Sequence, residues 1–497
     1  MDRLSQTGIE GLDDVLGEGL IPNRVYLVDG NPGSGKTTLA LQYLLEGVRI
    51  GEKGLYITLS ETRDELTAVA ASHGWSLEGI EIVELVAYEK ELSGDAELTM
   101  YHPSEVELSE TTKSVLDAVQ RVNPARLVLD SLSELRLLAQ DSLRYRRQIL
   151  ALKQFFIGRH CTVLLLDDLT GEGTDTQLHS IAHGVISLEQ LSPAYGAERR
   201  RLRVMKLRGK KYRGGYHDFS IVRGGLQVYP RLIAAEHGQQ FDRDRIGSGV
   251  TALDRLLGGG PDRGTSTLLI GPAGSGKSTI AMQYAVAAAA RGEHAAIFAF
   301  DEAVGTLEAR MRSLGMTFKR GNGPGEVAIR QVDPAELSPG EFTFLVCEAV
   351  ETDKASVVVI DSLNGYLNAM PDERFLTTQL HELLSYLGLQ GVTTLMVVAQ
   401  HGIIGAGMQT PVDASYLADS VIKLRYFETE GRVKKAISVI KKRSGAHEES
   451  IRELRFDGKG IHLSDPLAHF QGILTGVPRQ LGKNGNGETA AERTGPR

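Results

Sequence analysis

Two cysteines in 497 residues leave no disulfide framework to hold this chain together. Cys161 opens the apolar run CTVLLLD and Cys347 lies within FLVCEAV, both places where a small buried hydrophobe serves. Long apolar runs are missing as well. No stretch approaches the roughly 18 uninterrupted apolar residues that a membrane span needs, and the opening MDRLSQTGIEGLDD lacks the apolar centre of a secretory leader. The expected setting is therefore the cytoplasm. Basic charge is not in excess: 55 Lys and Arg against 63 Asp and Glu give a net charge of −8, which weighs against a dedicated nucleic-acid binder. Zinc-ligand spacing, a basic arm and interleaved aromatic and basic residues are also wanting.

What is present is one unit written twice. GIEGLDDVLGEG at 8–19 returns as GVTALDRLLGGG at 249–260, and VYLVDGNPGSGKTTLALQYLLEG at 25–47 returns as TLLIGPAGSGKSTIAMQYAVAAA at 267–289. LVLDSLSEL at 127–135 answers VVIDSLNGY at 358–366. Such a repeat sets the domain count before any local reading. Two homologous domains are expected at 1–235 and 247–475, joined by a polar linker at 236–246 and followed by a tail, 476–497, whose Gly, Asn and charge predict disorder. Within each copy, short apolar runs (VYLVD, GLYITL, RLVLD, CTVLLLD; TLLIG, AAIFAF, VVVID, TTLMVVA) alternate with helical stretches. That alternation predicts an α/β fold, a mostly parallel sheet covered by helices. Closing hairpin-like runs, RRLRVMKLRG and KKAISVIKKRSG, predict antiparallel strands at one end.

GNPGSGKT (30–37) and GPAGSGKS (271–278) both match G-x-x-x-x-G-K-[ST] between an apolar strand and a helical pattern, the setting this phosphate-binding loop requires. The candidate ATP-binding residues are Gly30, Gly33, Ser34, Gly35, Lys36, Thr37 and Thr38, and in the second copy Gly271, Gly274, Ser275, Gly276, Lys277, Ser278 and Thr279. Backbone N–H groups and the helix N-terminus would face phosphate oxygens, and the lysines would bridge β- and γ-phosphates. The alternative is a Gly-rich turn, which two intact copies make remote. Mg²⁺ would take the hydroxyls of Thr37 and Ser278 with the strand-end carboxylates Asp130 and Asp361. An acid at the tip of the strand after each P-loop helix, Glu61 and Glu302, is placed to orient and deprotonate water; each could instead be a first-turn acid on the next helix.

On the closing strands, Leu202, Val204, Lys206 and Arg208 read as one face, and so do Ile437, Val439, Lys441 and Arg443. Read as lying at the far edge of the sheet from the P-loop, these cations would serve a neighbouring subunit's γ-phosphate, since phosphoryl transfer gains heavily from a cation supplied in trans.

These residues carry a resemblance. Over about 1–480 the chain is similar to the KaiC family of double-domain RecA-like ATPases. The similarity rests on the two P-loops, the acidic position after the next strand, KLRG with Tyr212, KKRSGAHE (441–448), and the stretch from Asp413 to Phe456. It implies two tandem RecA-like P-loop NTPase domains and a two-tiered homo-hexamer with ATP and Mg²⁺ at every subunit interface. It also implies slow ATP hydrolysis in the first tier and autophosphorylation in the second. On that pattern Lys206, Arg208, Lys441, Arg443 and His447 contact the neighbour's nucleotide, and Asp301 with Glu302 forms the catalytic pair of the second site. A small thioredoxin-like (KaiB-like) protein or a signalling histidine kinase is the implied kind of partner; nucleic acid and membrane are not.

Departures from the pattern matter. The family's paired glutamates stand here as Ser60-Glu61 and Asp301-Glu302, and its adjacent Ser-Thr phosphoacceptors as Ser415-Tyr416. Ser415 is the first acceptor candidate and Thr410 the second. The first copy shows SPAYG (192–196) in the region taken to correspond, with no comparable acceptor. Two other readings stay open: a RecA- or RadA-like DNA-dependent ATPase, and a nucleotide-gated signalling scaffold with negligible turnover.

Overall fold

The computed structural model describes residues 3–85, 103–169, 176–193, 195–368, 375–400, 415–474 and 479–480. The chain divides into two compact units that change over between Arg231 and Leu232, with Ser338–Phe344 counted to the first. Residues of the expected linker fall in the second unit, where Ala234 N–H donates to Glu382 at 3.2 Å and Arg245 bridges Asp262.

In the first unit the strands are β1 (Val25–Gly30), β2 (Gly54–Thr58), β3 (Ile80–Glu84), β4 (Arg126–Asp130), β5 (Thr162–Asp168), β6 (Gly184–Leu191), β7 (Arg199–Leu207), β8 (His217–Val222) and β9 (Gly225–Tyr229). They form one sheet in the order β3-β2-β4-β5-β1-β6-β7-β8-β9. The first six are parallel and the last three join antiparallel. The second unit repeats this with β10 (Ser266–Gly271), β11 (His294–Ala299), β12 (Lys319–Arg320), β13 (Glu326–Gln331), β14 (Ala355–Asp361), β15 (Thr393–Ala399), β16 (Ser420–Thr429), β17 (Arg432–Lys442), β18 (Arg452–Asp457) and β19 (Gly460–Pro466). Their order is β12-β13-β11-β14-β15-β10-β16-β17-β18-β19.

The central strands are continuous apolar runs because both of their faces are covered. All five residues of β4 are buried: Leu127 and Leu129 face one core, under the helices Pro103–Val122 and Ser142–Ile157, while Val128 faces the other, under the P-loop helix Lys36–Arg49. Each fully buried Leu or Val contributes about 1.5–3 kcal/mol, so this layering commits the strand to the sheet centre. Cys161 and Cys347 are free, and burial pushes both thiols up to about 12, which leaves them inert.

The closing strands differ from the sequence-based expectation in two respects. They are not edge strands: β8 and β9 lie beyond β7, and β18 and β19 beyond β17. Nor do the cations share the apolar face. β6 pairs Val185 with Lys206 but Ile186 with Val204, so a β-bulge at Met205 reverses the alternation. Leu202, Val204 and Leu207 enter one core while Lys206, opposite Val185, turns to the other face. The second unit repeats the bulge at Ile440: Ile437 and Val439 face the core, and Lys442 rather than Lys441 follows them inward, donating to Leu257 O at 2.6 Å.

Candidate functional site

Each P-loop turns from the C-terminal end of the central strand into a helix whose N-cap is a left-handed glycine, Gly35 with φ 103° and Gly276 with φ 106°. A Cβ at Gly35 would come within 2.8 Å of Ile221, and one at Gly276 within 2.3 Å of the Phe456 ring. Only glycine lets this backbone curl so tightly. Ser34 and Ser275 are fully buried under the loops with no partner for Oγ among the described residues, and Thr38 and Thr279 are buried in the first helical turns. Lys36 is 7% exposed; its Nζ donates to Gly30 O at 2.9 Å and Asn31 O at 3.0 Å and ion-pairs with Asp168 at 2.7 Å. Lys277 is 6% exposed, donates to Pro272 O at 2.7 Å, and makes no ion pair among the described residues. Burial lowers its pKa to about 8.

Asp130 and Asp361 stand at the ends of β4 and β14. Burial raises the pKa of both carboxyls, opposed at Asp130 by the hydroxyl of Tyr56 and at Asp361 by that of Ser278. The Tyr56 hydroxyl donates to Asp130, so in the first unit a phenol sits against one of the two residues expected to hold the metal. Among the described residues no three His, Cys, Asp or Glu side chains could hold a metal by themselves. A hydroxyl with a buried carboxylate is instead the partial set taken by Mg²⁺ carried on phosphates, and a cation there would relieve the burial of the carboxylate. The residues present fit Mg-nucleotide.

Glu61 follows β2, outside the helix Arg63–Ser72, whose capping box is made by Thr62 and Glu65. Reciprocal bonds fix its backbone: Glu61 N–H donates to Thr58 Oγ1 at 2.9 Å and the Thr58 hydroxyl donates to Glu61 O at 2.7 Å. Its Oε2 is buried without a hydrogen-bond partner among the described residues. Burial, with the charges of Asp130, Glu65 and Asp168, raises its pKa to about 7, against the pull of Lys36. A carboxylate so poised, with an unused acceptor atom, suits a general base at neutral pH.

The second site is built differently. Glu302 Oε2 is ion-paired with Arg310 at 2.7 Å, and Asp301 accepts a hydrogen bond from the Ser362 hydroxyl. Val69 holds the position of Arg310 in the first unit. Sequence reasoning missed Arg310 because a basic residue in the last turn of a short helix reads as solvated surface. Replacing Arg310 with Ala frees Glu302, and phosphate release from the second domain should rise about tenfold, part of the range a general base supplies. An unchanged rate in an Arg310→Ala, Glu61→Gln protein would show that Glu302 is not restrained by this pair.

At the opposite end of each sheet, Lys206 donates to His179 O, and Arg208 to Ser180 O at 3.0 Å. Lys441 donates to Ser415 O at 2.9 Å and Ala418 O at 2.7 Å, and Arg443 to Tyr416 O at 2.8 Å and Asp419 Oδ1 at 3.2 Å. His447 is half-buried just past the strand. These bonds set the true register: Ser415-Tyr416 corresponds to His179-Ser180, and SPAYG is the connection between β6 and β7, so the correspondence read from sequence is corrected. Strand pairing decides it. Thr410 lies outside the described residues. His179 Nε2 further hydrogen-bonds Oδ2 of Asp29, a buried residue of β1 next to the P-loop, at 2.7 Å.

Two sheets of this topology, each with a P-loop at the end of its central strand and acids at the ends of neighbouring strands, define a tandem RecA-like P-loop ATPase. The family described as ATPase: KaiC matches residues 5–233 and 246–467, and the chain belongs to it. Its relatives include the circadian clock protein KaiC3 of Synechocystis sp., 27% identical over 480 residues, covering 95% of this chain and 94% of that protein. The circadian clock oscillator protein KaiC of Synechococcus elongatus is 28% identical over 489 residues, covering 96% and 92%. That of Thermostichus vulcanus is 26% identical over 482 residues, covering 96% and 92%. No helix among the described residues is long and apolar enough to cross a membrane.

Proposed function

We propose that the chain assembles as a homo-hexameric ring in which each subunit completes its neighbour's ATP·Mg²⁺ sites, hydrolysing ATP slowly in the first domain and phosphorylating Ser415 in the second. The observation that carries this reading is the position of the cations. Arg208 N–H bonds His183 O, and His183 N–H bonds Val25 O at the start of β1. The P-loop begins five residues later at Gly30, about 16 Å away along the strand. Lys206, opposite Val185 and so level with Leu27, lies three residues or about 10 Å down the sheet from Gly30, and Arg208 further still, so both point away from the phosphates of their own domain, and Lys441 and Arg443 repeat the arrangement.

In the first site Lys36 holds β- and γ-phosphate oxygens, Thr37 and Asp130 hold Mg²⁺, and Glu61 takes the proton of the attacking water. The bound Mg²⁺ supplies charge neutralisation on the phosphates. In the second site Lys277, Ser278 and Asp361 take the corresponding parts, with Asp301 as the base that accepts the proton of an incoming Ser415 hydroxyl. Engagement of Glu302 by Arg310 supports kinase rather than hydrolase chemistry there. The family reading assigns a role in clock-like or other signalling, with a small thioredoxin-like protein or a histidine kinase as the responding partner.

The test is incubation of the purified protein with γ-labelled ATP, with and without single-stranded DNA, following free phosphate and protein-bound label together. Both signals should appear and ignore DNA, and Ser415→Ala should remove most of the bound label while leaving phosphate release within about twofold. Stimulation by DNA would instead favour a recombinase-like ATPase, and absence of both signals a scaffold.

A further inference from the structure

Lys36 and Lys277 are equivalent residues in different electrostatic settings. Two backbone bonds fix the comparison: Leu169 N–H donates to Gly30 O at 3.2 Å and Gln400 N–H to Gly271 O at 3.0 Å. Asp168 is therefore the counterpart of Ala399, and Gly30 and Gly271 pair with them in register. In the first unit Asp168 ends β5, between the strand of Asp130 and the strand of the P-loop, and reaches Lys36 at 2.7 Å. Ser133 donates to its other oxygen at 3.4 Å. In the second unit Asn364, at the position of Ser133, bonds both the N–H and the C=O of Ala399, at 2.7 and 3.0 Å, and among the described residues no carboxylate lies within ion-pair distance of Lys277, Asp361 acting on it only from further off.

An ammonium has three donors, and in Lys36 all three have acceptors: Gly30 O, Asn31 O and Asp168. Phosphate oxygens can engage it only by displacing one of them, and the carboxylate, being anionic, also repels the incoming triphosphate. We infer that Asp168 is a built-in competitor for Lys36 that weakens ATP binding at the first site alone, so the two domains of one chain fill with ATP at different concentrations. The inference rests on the P-loops being ATP sites. It adds a residue that sets their relative affinity and makes the first site the one that responds to ATP level.

The full-length Lys277→Ala protein isolates the first site, and Lys36→Ala the second. Calorimetric titration with the β,γ-imido analogue of ATP and Mg²⁺ should give about tenfold tighter binding for Asp168→Asn in the Lys277→Ala background. The reciprocal Ala399→Asp in the Lys36→Ala background should weaken binding to a similar extent. Unaltered affinity in both variants overturns the inference. So does weaker binding of Asp168→Asn that appears only with Mg²⁺, which would make Asp168 a metal ligand. If the Lys277→Ala parent takes up no analogue, the ATP-site reading itself fails, a result distinct from binding that Asp168 does not influence.

Discussion

Replacing Glu61 by Gln should lower phosphate release from the first domain by about 10²- to 10³-fold, the usual contribution of a positioned general base. The same residue sets the pH profile of the unmodified protein. With its carboxyl raised to about 7, the base is lost as pH falls, so turnover should drop about tenfold per unit below pH 7 and flatten above it. Measurement belongs in the Lys277→Ala background, where only the first site contributes. A stability measurement separates loss of chemistry from loss of fold. The carboxyl of Glu61 titrates near 7 in the folded protein and near 4.5 when unfolded, so between these values the unfolded state releases a proton that the folded state keeps. Stability from this group is thus highest below pH 4.5, falls as pH rises to 7, and stays reduced above. Glu61→Gln removes that cost, which after discounting for its half-buried setting is about 1 kcal/mol, a rise of about 2 °C in unfolding temperature at pH 8. An inactive variant that is also less stable would point to a structural role for Glu61 instead.

Mixing two inactive proteins should restore activity. Lys206→Ala, Arg208→Ala keeps its P-loops but offers no cations, whereas Lys36→Ala keeps its cations but has no working first P-loop. Each alone should lose about 10³-fold in first-site hydrolysis, within the range of a trans-acting cation. After disassembly and co-assembly, sites that combine an intact P-loop from one chain with intact cations from the next form at random, roughly one site in four. Phosphate release should recover to about that share of the unmodified rate. If the mixture is as inactive as its components, the cations do not act across a subunit boundary, and the hexameric reading loses its main support.

Much of the site was legible before the structure because its chemistry is local. P-loop glycines, the lysine and the following hydroxyl must be contiguous, since consecutive backbone N–H groups cradle the phosphates, and a strand-end aspartate announces itself after an apolar run. Lys206 and Arg208 were equally visible as residues, but their face was not. A bulge at Met205 adds one residue to β7 without leaving a mark in composition, and it sends the cations to the opposite side from Leu202 and Val204. The competitor Asp168 and the restraint Arg310 escaped notice for a related reason: each acts on a residue 132 or 8 positions away, Lys36 and Glu302, through contacts that depend on strand order and helix rotation.

The sequence by itself determined that there are two homologous domains, that each is an α/β unit with a P-loop, and which acids and cations are available. These follow from repetition, from hydrophobic period and from motifs whose atoms are neighbours along the chain. Only the tertiary structure decided which charges meet. Placing β5 between β4 and β1 brings Asp168 to Lys36, and the turn of the helix Val304–Ser313 brings Arg310 to Glu302. Electrostatic pairing depends on distance in space, and the strand order and helix rotation that set this distance are written in no single stretch of sequence.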